Sequence, residues 1–212
     1  MKTIITIIFV FLIVGNSKAE DPKYVNAMKK NIANIDSLKT VQDFIDASNA
    51  FQRIGKAEKD KWLPYYYSAY LTTLASFVDT TSSKKDSYLD QANEILLMAG
   101  SLQPNESEIY NLKGLILQGR LQIDPMNRYM QFSAEMNAAF QKAQQLDPTN
   151  PRPDYLMAII IMYTPEQFGG GGKVAKPMFE KAIQKFDQFL QKSDLMPNWG
   201  RAQAENFMKQ IP

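Results

Sequence analysis

The sequence is 212 residues long, with 24 lysines and arginines against 22 aspartates and glutamates, 45% hydrophobic residues, and neither histidine nor cysteine. Those two absences remove Ser-His-Asp triads, histidine general bases, thiol nucleophiles, disulfides and the usual zinc ligands, so any catalysis would fall to carboxylates, lysine, tyrosine or hydroxyls. The near balance of charge implies no basic face and argues against nucleic acid as a partner.

Lys2, the apolar run from Ile4 to Val14 and the triplet Ser17-Lys18-Ala19 have the three parts of a secretory signal peptide, so residues 1–19 are expected to be cleaved before Glu20. The run is too short for a bilayer span, which needs about 20 residues, and there is no cysteine to carry a lipid. A periplasmic or secreted protein without a stable membrane anchor is therefore expected. Residues 20–212 are expected to form one domain, and the loss of Lys2 and Lys18 leaves 22 basic residues against 22 acidic ones. With no disulfide available, packing alone must hold that domain together.

Val25, Met28, Ile32, Ile35 and Leu38 recur at steps of three and four, which places them on one stripe of a helix. Thr40 reads as an N-cap, and Val41, Phe44, Ile45, Ser48, Phe51 and Ile54 continue the stripe on a second helix that ends at Gly55. The next helix is expected from about Asp60, with Pro64 in its first turn and Trp62, Tyr65, Tyr66, Tyr67, Tyr70, Leu71, Leu74 and Phe77 along it. Asp79 to Asp86 reads as a polar loop. Tyr88, Leu89, Ala92, Ile95, Leu96 and Ala99 bring the chain back, and Gly100 and Pro104 stop it.

A third pair follows, with Ile109, Tyr110, Gly114 and Leu117 in one helix and Met136, Phe140 and Ala143 in the other. Gly114 costs about 1 kcal/mol relative to alanine in a helix interior, and close approach of a neighbour would explain it. The fourth pair has Tyr155, Ala158, Ile159 and Met162, then the turn from Thr164 to Gly172, then a helix over about 173–191 with Pro177 in its first turn. A tail helix from Trp199 to Lys209 carries Phe207 and Met208 and is expected to cover the last open face.

One spacing recurs through these pairs: a small or flexible residue, an apolar residue four later and an alanine three after that. It stands at Ala92, Leu96 and Ala99, at Met136, Phe140 and Ala143, and at Ala175, Phe179 and Ala182, with a looser copy at Ala47, Phe51 and Ile54. Ala47, Ala92, Met136 and Ala175 lie 45, 44 and 39 residues apart, so the repeating unit is a helical hairpin. The fold class predicted is all-α: about four antiparallel hairpins stacked as a short right-handed superhelix, with a C-terminal capping helix.

These positions resemble the tetratricopeptide repeat (TPR): Tyr110, Gly114, Leu117, Met136, Phe140, Ala143 and Pro148 match in the third hairpin, Trp62, Tyr66, Ala69, Ala92, Leu96, Ala99 and Pro104 in the second, and Ala158, Ile161, Ala175, Phe179 and Ala182 in the fourth. The runs WLPYYYSAY, YLDQANEILLMAGSLQPNESEIY and PNWG are similar to a group of short exported repeat proteins of Gram-negative bacteria with no established activity. The Phe168-Gly-Gly run resembles a periplasmic repeat subunit that accompanies tripartite solute transporters. The separation of Tyr66 from Ala99, Gly114 from Ala143 and Ala158 from Ala182 exceeds the repeat's standard spacing in each hairpin. Three long connections are therefore expected, clustered on one edge.

The resemblance implies that first helices face a concave side, at Tyr67, Tyr70, Asn111, Gln118, Arg152, Tyr155 and Tyr163. Tyrosines with amides and an arginine there would suit a protein or peptide partner in the cell envelope, or a glycan. On the inserted edge, Arg120, Asp124 and Arg128 would bracket an anion, or Asp124 would pair with an arginine or cap a turn. Phe168 and the four glycines before Lys173 are not a phosphate loop, because Gln167 and Val174 stand where glycine and a hydroxyl residue are required. The glycines are expected to allow positive φ in a turn that Phe168 anchors.

The expected function is non-catalytic binding or scaffolding of a protein or peptide, with no metal and no cofactor. The alternative is a small-ligand or transporter-accessory protein. A carboxylate-based hydrolase, with Asp124 and Glu166 as acid and base, ranks below both.

Overall fold

A computed structural model describes residues 20–211, so the expected signal peptide lies outside the described residues. Among the described residues every regular element is helical. The elements are α1 (Pro22–Ala33), α2 (Val41–Ala57), α3 (Leu63–Val78), α4 (Ser82–Leu102), α5 (Ser107–Ile123), α6 (Pro125–Leu146), α7 (Arg152–Tyr163), α8 (Gly172–Gln188) and α9 (Arg201–Lys209). They pair in sequence as hairpins α1/α2, α3/α4, α5/α6 and α7/α8, with α9 packed on α8. The first helices α3, α5 and α7 also touch in succession, so they form one continuous layer.

Local chemistry sets the ends. Thr40 and Asp43 form a reciprocal capping box: the Asp43 N–H donates to Thr40 Oγ1 at 3.1 Å and the Thr40 N–H to Asp43 Oδ2 at 2.9 Å. Such a cap contributes about 1 kcal/mol. Asp124 caps α6 by accepting the Asn127 N–H, and Pro125 follows in the first turn, where its missing donor has no intrahelical partner.

The repeated spacing is the core seam. Leu96, Phe140 and Phe179 are buried, as are Ala92, Met136, Ala175, Ala99, Ala143 and Ala182. The first copy is shifted: Ala47 and Ile54 are only partly buried, and Ser48 and Gly55 take the inner positions beside Phe51. Ser48 earns this place by hydrogen bonding across to α3, at 2.7 Å from Ser68 Oγ and 2.8 Å from Thr72 Oγ1. Gly114 is required by close approach, since a Cβ there would lie 2.2 Å from Phe140 Cε1.

Two of the three long connections are not loops. α4 begins at Ser82, so most of the expected Asp79–Asp86 loop is helix, and a single residue, Asp124, separates α5 from α6. The extra residues lengthen the helices instead. Only α7 and α8 are joined by an extended turn, where Gly169 and Gly171 adopt φ of 82° and 96°. Phe168 does not anchor that turn; it is 72% exposed. Pro177 lies inside α8 rather than in its first turn.

The outer edge is tied by charge. Arg128 donates twice to Asp86, both at 2.7 Å, and Arg120 Nη2 donates to Asp90 at 2.6 Å. These pairs bind α4 to α5 and α6, and they commit both arginines to carboxylates other than Asp124.

Candidate functional site

A cleft of about 590 Å³ opens along the layer of first helices. Tyr70, Leu74 and Phe77 come from α3, Leu115, Gln118 and Gln122 from α5, Pro125 from α6, and Tyr155, Leu156, Ile159 and Tyr163 from α7. Steps of three and four put the α3 and α5 sets, and Leu156, Ile159 and Tyr163 of α7, each on one stripe of its helix, with Tyr155 next to Leu156. The remaining wall comes from far along the chain, as Trp199, Gln203 and Phe207.

Aromatic stacking builds that wall. Trp199 lies flat on Tyr70, with ring centres 4.8 Å apart and planes at 13°, and Phe207 lies on Phe179 at 5.9 Å and 10°. Tyr163, 64% exposed, meets Phe207 edge-on at the mouth. Gln203 accepts the Gly200 N–H at 3.0 Å and so fixes the start of α9. Among the described residues, no charged side chain lines the cleft. Burial pushes the phenols of Tyr70 and Tyr155 well above their ordinary range, so both stay neutral. Gln118 is 3% exposed and its Oε1 has no partner in the protein, which leaves a buried acceptor at the cleft.

Trp199 is held from behind by a buried polar chain. Its indole N–H donates to Tyr66 Oη at 3.1 Å, and the Tyr66 O–H donates to Glu108 Oε2 at 3.1 Å. Glu108 Oε1 accepts from Arg152 Nη1 at 3.0 Å and from Asn150 Nδ2 at 2.7 Å. Arg152 Nη2 donates to the Pro197 carbonyl, and its guanidinium lies 5.2 Å from the centre of the Trp199 ring. Arg152 and Glu108 are 1% and 2% exposed, so this ion pair is removed from water.

Four of the expected binding residues, Tyr70, Gln118, Tyr155 and Tyr163, line the cleft. Three others are in the interior: Tyr67, Asn111 and Arg152 are each no more than 1% exposed. For Tyr67 and Arg152 the physical reason is the segment before α9, which is fastened across them. The Tyr67 O–H donates to the Leu195 carbonyl at 3.0 Å, as Arg152 does to Pro197. Asn111 has neither amide atom partnered, and nothing in the surrounding packing accounts for it. Arg120 belongs to the ion pairs of the outer edge, and Phe168 stands away from the cleft walls.

No family model matches the chain, and no curated protein matches it. Among solved structures, it is similar to the HusA haemophore from Porphyromonas gingivalis. The two are 29% identical over 93% of this chain and 94% of that one, with a TM-score of 0.79.

The likeness extends over nearly the whole chain. Trp199, Gln203 and Phe207 are the lining residues that the repeat pattern does not reach, because they lie beyond the last hairpin. Their one signal is the concentration of aromatic and apolar residues in a polar tail, which by itself predicts a cover for the end of the stack. Asp124 is occupied as a helix cap, with its carboxyl held below the usual range by hydrogen bonds from Asn127. Among the described residues, no group of three or more acidic side chains is placed to hold a metal, and no helix is long and apolar enough to cross a membrane.

Proposed function

We propose that the protein is an exported, non-catalytic carrier of haem or a closely related porphyrin, built on a TPR-like stack of hairpins. The observation that carries this reading is an uncharged, aromatic-walled cleft of about 590 Å³ in a chain similar to a haemophore. Its volume falls in the range of about 300–1,000 Å³ typical of small-molecule sites. A porphyrin is flat, apolar on both faces and aromatic, and Tyr163, Trp199 and Phe207 offer partly exposed aromatic surface along the cleft. The sequence supplies no histidine or cysteine, so burial of the macrocycle, rather than an imidazole or thiolate bond to iron, is the main source of affinity.

The peptide partner expected from the sequence loses support, because Tyr67, Asn111 and Arg152, three of the residues assigned to it, are not on a surface. A small ligand suits an open cleft of about 590 Å³ with uncharged walls better. Titration of the mature protein with haem tests the proposal. Saturable quenching of tryptophan emission at one equivalent is expected, and Trp199→Ala should weaken binding about tenfold through loss of one aromatic face. Unsaturable quenching, or equal affinity in a folded Trp199→Ala variant, would refute it.

A further inference from the structure

We propose that the cleft continues into a carboxylate-binding subsite whose anchor is Lys85. The inference rests on the porphyrin reading above and extends it to the ligand's acidic side chains. A second hollow of about 170 Å³ adjoins the cleft and shares Phe77 and Gln122 with it. Its other walls include Ser76, Gly119 and Lys85. Among the described residues, Lys85 is the single charged one lining either hollow.

The surrounding charges leave that ammonium available. Arg120 and Arg128 are engaged with Asp90 and Asp86, so neither arginine offers its charge to the hollow. Lys85 itself is half-buried and forms no ion pair among the described residues. Asp79 is the carboxylate whose field it feels, and that group already accepts the Thr81 N–H at 2.7 Å. Gln122, at the junction of the two hollows, adds a carboxamide N–H donor beside the path from one to the other.

Haem carries two propionate groups on one edge. In an otherwise uncharged cleft, a carboxylate gains most where a cation is accessible and water still reaches it, because full burial of the pair would cost desolvation. Lys85 meets both conditions. It therefore fixes which edge of the macrocycle enters last and faces the α3–α4 end.

The test compares haem with its dimethyl ester, which keeps the ring and removes both charges. Wild type, Lys85→Glu and Lys84→Glu are titrated with each compound; Lys84 is an exposed neighbour that carries the same charge change without lining either hollow. Lys85→Glu should weaken haem binding about fivefold to tenfold and leave the ester within about twofold, while Lys84→Glu leaves both unchanged. Equal losses for haem and ester, equal effects of the two variants, or no effect of Lys85→Glu would overturn the subsite while porphyrin binding stands. Failure of wild type to bind either compound would overturn the porphyrin reading and the subsite together.

Discussion

Replacing Arg152 with methionine tests how the cleft wall is held. The substitution keeps most of the aliphatic stem but leaves Glu108, 2% exposed, with only the Tyr66 hydroxyl and the Asn150 amide as donors. Removing one partner of a buried pair costs about 3–5 kcal/mol, against a total stability of about 5–15 kcal/mol. Much of that cost is the stranded carboxylate, so the double variant Arg152→Met with Glu108→Gln should recover at least half of it. Urea unfolding followed by tryptophan emission measures both, as a fall in midpoint at unchanged slope for the single variant and a partial return for the double. The Trp199 emission of the folded single variant should also move to longer wavelength as the indole becomes wetter. A loss below about 1 kcal/mol, or a double variant no more stable than the single, would show that the ion pair does not hold this wall.

Gly114→Ala forces a Cβ to within 2.2 Å of Phe140 Cε1 and should destabilise the protein by about 1–3 kcal/mol in thermal unfolding, with partial relief when Phe140→Leu is added. A melting temperature equal to wild type would remove the close approach of α5 and α6 from the account. Acid should destabilise the fold through Asp86 and Asp154. Hydrogen bonds from Arg128 hold the Asp86 carboxyl below its ordinary range; burial works against ionisation of Asp154, but Lys185 and Lys181 outweigh it. Because both folded values are depressed, their contribution is present above the unfolded carboxylate range and is lost as pH falls through it, below about 4. Asp154→Asn should therefore flatten the fall of melting temperature below pH about 4, and an unchanged slope would count against the Asp154 pairs.

Helical hairpins were legible because buried positions recur at fixed offsets, and Leu96, Phe140 and Phe179 follow that rule. Ser48 stands on the stripe of α2, but that it rather than Ala47 takes the seam position depends on hydroxyl partners in α3 that no local pattern displays. The long hairpins are hidden for a related reason: Ser82 to Asp86 carry no apolar stripe, yet polar residues with adequate helix propensity extend α4 by more than a turn once its far end is packed. At the site, Tyr70 and Tyr155 could be placed on the inner layer from repeat register alone. Tyr67 and Arg152 sit in that same layer, and their burial follows from contacts with Leu195 and Pro197, which are 128 and 45 residues away in sequence.

The crossing of residues 195–199 over the inner layer changes what kind of molecule this is. Hairpin arrays ordinarily melt piecemeal, each unit depending on its immediate neighbours. Here a distant strap is fastened to α3 at Tyr67 and to α7 at Arg152, so loosening either hairpin slackens the other. The stack consequently behaves as a closed clasp of fixed length, in which inserting or deleting one hairpin would leave the strap mismatched to its anchor points.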